Sequence, residues 1–270
     1  MHQAYMAVRL RNHFRETVST GSLLFKLELL ILSLASGIED VVSFSEYGCF
    51  TSNQTGNSVI IALGVFNIHS ASQPAFEIVV IANVVFSLCL CFSAALIQGQ
   101  IANTFKTCQR RWWLLLSSFL QTCLTAAAAG AQVASEHEST SLGRLCLALL
   151  AVSAGAQIGM VRALKITDIT TAMATSAYAD IAIDKDLFAG ILHNRPRNRR
   201  ILFIVILVAG SFVGASMYKP FGPVWPLVLC TVLKAIACAL FLFNRSCGDG
   251  GQTPSVLPRA RRSISSKLVQ

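Results

Sequence analysis

The sequence predicts an all-α, polytopic transmembrane helix bundle, and three observations carry that reading. The chain is 54% hydrophobic and 13% charged, with mean hydropathy +0.59. A soluble domain carries roughly 25% charged residues. Apolar runs of about 20 residues recur, each long enough to cross about 30 Å of hydrocarbon. The net charge of +9 sits in the two ends and a few loops. That placement points to anionic lipid headgroups and to membrane orientation. It excludes a nucleic-acid reader, which needs a basic face on a soluble fold.

The clear runs are Leu23–Val42, Ile78–Ala102, Trp112–Val133, Leu142–Leu164, Ile201–Met217 and Val224–Phe243. Thr51–Phe66 and Asp168–Ile183 are too polar or too short for ordinary spans. Basic residues gather at Arg9–Lys26, Lys106–Arg111, Lys185–Arg200 and Arg245–Lys267. These four stretches are expected on the cytoplasmic side. Asn67–Glu77 has no Lys or Arg, 134–141 carries Glu136 and Glu138 with no Lys or Arg, and the turn at 217–224 has one lysine. They are expected on the far side. Under that rule the chain makes six net crossings with both termini cytoplasmic, and two irregular half-helix segments dip into the bundle. The expected organisation is a cytoplasmic basic tail (1–22), a transmembrane bundle (23–243) and a disordered basic cytoplasmic tail (244–270).

The two halves of the bundle (23–133 and 142–243) match in pattern. Ser36-Gly37-Ile38-Glu39-Asp40 and Asn53-Gln54-Thr55-Gly56-Asn57 precede two apolar runs. Ala154-Gly155-Ala156-Gln157-Ile158 and Thr170–Ser176 precede two more. Each half makes three crossings, so the second enters from the opposite side. This is an inverted 3+3 repeat, and interrupted segments at matching positions of such halves point to a central binding site.

Candidate site residues follow from backbone accounting. Non-helical backbone at membrane depth survives only against protein or a watery cavity. Asn53, Thr55, Gly56 and Asn57 supply a break with local hydrogen-bonding groups. In the second half Thr171 and Thr175 share a face with Asp168 and Tyr178. Ser33, Ser36, Asp40, Ser43 and Tyr47 fall on one face of the first run, flanked by Glu39 and Glu46. An ionised carboxylate at helix centre costs about 2.5–3.5 kcal/mol on insertion scales, so that face turns into the bundle. Glu39 and Asp40 are therefore candidates for holding a proton or cation, or a buried base. Asp180 is the second-half acid considered with them, Arg162 and Lys165 being candidate counter-ions. The competing reading makes all these groups structural: a kinked helix, a hydrogen-bonded Asn-Thr pair, solvated helix ends.

An enzyme is the weaker class. The histidines His2, His13, His69, His137 and His193 are scattered through tails and loops, without a nucleophile–base or metal-ligand grouping. Most cysteines lie inside apolar runs and read as small hydrophobes. No cofactor is implied. Small-residue spacing at Ala151, Gly155 and Gly159, and at Gly210 and Gly214, reads as close helix packing within the chain.

Gly37-Ile38-Glu39-Asp40 followed by Phe50–Asn57 resembles the YoaK-type family of polytopic membrane proteins of unknown function, over about Leu30 to Phe243. The string Thr170–Asp180 is similar to that family's fungal branch. Where bacterial members usually read Gly-Gln-Asn and Thr-Gly, this chain has Ala156-Gln157-Ile158 and Thr175-Ser176. The resemblance implies a polytopic fold and names no activity.

The expected partners are the lipid bilayer and a small solute or ion. The leading functional reading is a small-solute or ion permease. The alternative is a non-transporting membrane scaffold or regulator. A cavity lined by both irregular segments separates them.

Overall fold

The computed structural model describes residues 13–66, 78–138 and 140–246, and within them every element is helical apart from isolated bridges. The loop Asn67–Glu77, Arg9, Arg11 and the tail from Cys247 onward lie outside the described residues.

The helices are α1 (Leu23–Tyr47), α2 (Gln54–Val65), α3 (Ile78–Thr104), α4 (Arg111–Glu138), α5 (Thr140–Ala163), α6 (Ala174–Ala182), α7 (Arg195–Phe221) and α8 (Val224–Leu240), the last running into a 3-10 turn at Phe241–Phe243. Five of them (α3, α4, α5, α7 and α8) are long and apolar enough to cross a membrane. α1 is as long, at 25 residues, but carries Glu28, Glu39 and Asp40 along its length. The chain is an integral membrane protein. α2 and α6, with 12 and 9 residues, are the two short helices, where the sequence places its irregular segments.

Local chemistry explains the boundaries. Ser22 caps α1 by accepting from the Phe25 N–H at 3.1 Å. Gly48, at φ 67°, closes it and donates to the Phe44 carbonyl. α7 begins at Arg195 rather than Ile201, so the basic run Arg195–Arg200 is helical and not a loop. Asn194 caps it, accepting from the Arg197 N–H at 3.0 Å, and Pro196 sits in the first turn, where a missing N–H costs nothing.

The helices pack crosswise. α1 lies against α7 and α8, α5 lies against α3 and α4, and α4 meets α8. Glycine sets the closest crossings. A Cβ on Gly210 would collide with the Leu34 carbonyl of α1, and one on Gly37 with the Leu207 carbonyl of α7. Gly155 stands in the same way against the Cys91 carbonyl of α3. The small-residue spacing thus serves packing within the chain.

The ends of the described chain are tied down. Val18 N–H donates to the Gln109 carbonyl at 2.8 Å and Ser19 N–H to the Arg245 carbonyl at 3.0 Å. Arg111, 1% exposed, donates to the carbonyls of Asn244 and Leu242 at 2.6 and 3.0 Å. Asn244 donates to both oxygens of Glu28, at 2.7 and 2.8 Å. Asn244–Ser246, read from composition as the start of a disordered tail, are therefore ordered. A buried carboxylate and a buried guanidinium need their carbonyl and amide.

Candidate functional site

A cavity of about 750 Å³ opens between the two short helices. α1 contributes Asp40, Val41, Phe44 and Ser45. The approach to α2 and its first turn contribute Phe50, Ser52, Asn53, Gln54 and Thr55. α3 contributes Leu88, Cys91 and Phe92, and Ala172–Ser176 come from the approach to α6 and its first turn. Gly37, Ala95, Ile158, Leu207 and Ser211 complete the walls. Both interrupted segments thus border one space.

The first-half break is built on Asp40 and Asn57. Asp40 Oδ1 accepts from the Thr51 N–H (3.1 Å), the Thr51 hydroxyl (3.1 Å) and the Ser52 N–H (2.9 Å), while Oδ2 accepts from the Ser52 hydroxyl (2.5 Å). A carboxylate near the end of α1 thus satisfies the backbone that cannot stay helical. Asn57, fully buried, donates to the Phe50 carbonyl at 2.7 Å and to Gln54 Oε1 at 2.8 Å, and accepts from the Phe50 N–H at 2.9 Å. Asn53 caps α2 through the Gly56 N–H at 3.3 Å. In the second half, the Thr170 hydroxyl donates to the Met173 carbonyl at 2.7 Å, and Thr171 turns the chain at φ 60° with its own hydroxyl buried and unpartnered. No side chain caps α6.

The sequence-selected residues separate into groups. Asp40, Asn53, Thr55 and Thr175 line the cavity. Asn57 and Thr171 are buried beside it and hold the breaks. Gly56 faces Phe50: a Cβ there would meet the ring at 2.9 Å, so the close approach it permits is within its own half, not to the other segment as the repeat suggests. Asp180 stands apart from the lining, 3.4 Å from Arg200. Arg200 also reaches Asp168 at 3.7 Å and Asp184 at 3.9 Å, and Arg199 reaches Asp168 at 3.2 Å. The counter-ions of the second-half acids come from α7, whose helix starts early enough to present them, and not from Arg162 or Lys165. Asp184 lies outside the helices, and hydrogen bonds from Asn194 and the Asp186 N–H, together with Arg200, hold its carboxyl below the usual range.

Glu39 turns away from the cavity, into the crossing of α1, α5 and α8. Its Oε2 lies 2.8 Å from Lys234 Nζ, which also donates to the Ser153 hydroxyl at 2.8 Å. Lys234 escapes a motif-based reading. Its signal is nonetheless present, as the single charged side chain inside the run Val224–Phe243. Gln157, the residue two past Gly155 as Glu39 is two past Gly37, donates to Ser36 at 2.8 Å.

The family described as "Protein of unknown function (DUF1275)" matches residues 29–240. The chain belongs to the DUF1275 family. The match covers most of α1 and runs to the end of α8, so in this DUF1275 protein the cavity, both breaks and the Glu39–Lys234 pair all lie inside the family's region. No curated protein and no solved structure matches the chain.

Proposed function

We propose that this DUF1275 protein is a small-solute permease, not an enzyme. One observation carries the reading: a cavity of about 750 Å³ bordered by the N-terminal ends of both short helices. Its size is that of a small-molecule site, and interrupted helices at matching positions are where transporter folds place their substrates. The crosswise packing supports the inverted repeat. α1 on α7 and α8 corresponds to α5 on α3 and α4 when the halves are exchanged, and Gly37 and Gly155 occupy equivalent crossings. On this reading α1 is a sixth crossing, both termini are cytoplasmic, and the YoaK-type proteins are kin, with the second-half string on the fungal side.

A second reading, the scaffold, draws on a different observation. Asp40 and Asn57 spend their hydrogen bonds on the chain's own backbone and on the neighbouring side chains of Thr51, Ser52 and Gln54. The two readings part on water and flux. Thr175→Cys in a cysteine-depleted background should react with a small impermeant thiol reagent. Proteoliposomes should release at least one solute of a chemically varied panel faster than empty liposomes, and Thr175→Trp should block that release. An unreactive thiol in the Thr175→Cys variant, with no flux above the empty control, would leave the scaffold.

A further inference from the structure

We propose that the cavity binds an organic cation, an ammonium on an apolar or aromatic body, with Asp40 as its counter-ion. The inference rests on the cavity serving as a ligand site. Formal charge is the first argument. α1 carries two adjacent carboxylates, Glu39 and Asp40, and one ammonium, Lys234 of α8, lies within bonding reach of the first. Lys234 is spent on Glu39, at 2.8 Å and with both side chains buried. Asp40 has no basic partner among the described residues, and it is the carboxylate that borders the cavity. Among the described residues the lining holds no Lys, Arg or His.

Its hydrogen bonds fit that role. All four donors to Asp40 come from Thr51 and Ser52, an arrangement suited to an ionised carboxylate, which only accepts. Oδ2 takes a single bond, leaving a lone pair for a ligand. The starts of α2 and α6 soften the charge, each worth at most about half an elementary charge. A dipole end is spread over several amides, however, whereas an ammonium can close on the carboxylate itself.

The walls supply the second argument. Phe44 and Phe50 stack at 4.7 Å with 19° between their planes, and both border the cavity together with Phe92. Aromatic faces beside a half-buried carboxylate favour a cation over an uncharged molecule of the same shape. A metal ion would instead find a single anionic ligand here, since Asp40 is the one carboxylate of the lining and is already bonded by Thr51 and Ser52. Leu88, Leu207 and Met173 accommodate the apolar body.

The test uses the purified full-length protein in detergent, with phenethylammonium as probe and 2-phenylethanol as its uncharged counterpart. The ammonium should raise the Tm saturably and the alcohol should not. Asp40→Asn should weaken the ammonium response about tenfold or more, the factor that about 1.4 kcal/mol represents. Phe92→Ala should weaken it about threefold, in line with one cation–π contact. Should Asp40→Asn fail to fold, Ser45→Lys decides, since it places an ammonium at the cavity wall while leaving the Asp40 bonds intact. It should abolish the response. Equal responses to ammonium and alcohol, or an undiminished response in Asp40→Asn or Ser45→Lys, would overturn the proposal. Flux of uncharged solutes without any ammonium response would overturn it too, leaving the permease reading standing. Ammonium binding without flux of any solute would support it and remove the permease reading.

Discussion

Lys234 on α8 holds Glu39 on α1 at 2.8 Å, and both side chains are buried. The lysine reaches Ser153 on α5 with a second bond, so one ammonium ties helices from both halves of the chain. Glu39 Oε1 is left buried without a partner. Breaking such a pair costs more than deleting it, because the surviving charge is stranded. Lys234→Met should therefore destabilise the protein by about 3–5 kcal/mol. Glu39→Leu with Lys234→Met should cost clearly less. Denaturant unfolding in mixed micelles measures both. A double variant as unstable as the single would mean that the pair's shape, and not its charge, holds the crossing.

Asp40 is the residue on which the α1–α2 turn is built, and Ser52 makes its shortest bond, 2.5 Å from hydroxyl to carboxylate. Ser52→Ala removes that bond and leaves the two backbone donors. A loss of about 1.5–3 kcal/mol is expected, the range for a hydrogen bond to a charged acceptor. Thr51→Val, which also removes only a hydroxyl, should behave alike. Unchanged thermal stability in both would place the strength of the turn in its backbone amides alone.

The fold is legible in the sequence because lipid imposes a strict rule: apolar length marks a span, and the runs at Ile78, Trp112, Leu142 and Val224 start within two residues of helices. The start of α7 is not, because Arg195–Arg200 looks like a loop by composition, whereas Asn194 and Pro196 make it a helix start. At the site, Asp40 and Asn57 stand out because a polar group at membrane depth needs a reason. What they do is hidden. Their partners include backbone groups of Phe50, Thr51 and Ser52, which every residue carries and no sequence pattern displays. Lys234 is hidden differently. A pair separated by 195 positions forms only once α1 and α8 are packed together.

The glycine crossings allow a controlled comparison. Gly210 and Gly99 both lie inside long helices. A Cβ on Gly210 would collide with the Leu34 carbonyl, while one on Gly99 meets nothing within 4 Å. Gly210→Ala should force α1 and α7 apart and cost about 1–3 kcal/mol, the usual penalty of overpacking. Gly99→Ala should be neutral, or stabilise by up to about 1 kcal/mol through helix propensity. The two variants make the same chemical change, so their difference in thermal stability reads the crossing directly. Equal effects would mean that the crossing yields without cost.

The segment between α6 and α7 should loosen in acid. Asp184 accepts from Asn194 Nδ2 at 3.0 Å and from the Asp186 N–H at 2.9 Å, with Arg200 at 3.9 Å. The side-chain bond from Asn194 is the leading cause that holds this carboxyl below its ordinary range, followed by the Asp186 amide. A depressed carboxyl stabilises the folded segment above its unfolded value of about 3.9 and loses that contribution as pH falls through the lower folded value. The segment should therefore be equally protected from neutral pH down to about 4, then open below it. Hydrogen exchange of the amides between Asp184 and Asn194 follows this directly. Asp184→Asn should remove the acid-dependent step there while leaving the bonds from Arg197 to the Asp186 and Ala189 carbonyls, which do not titrate. An acid step of the same size in the variant would mean that the Asp184 carboxylate does not hold the segment closed.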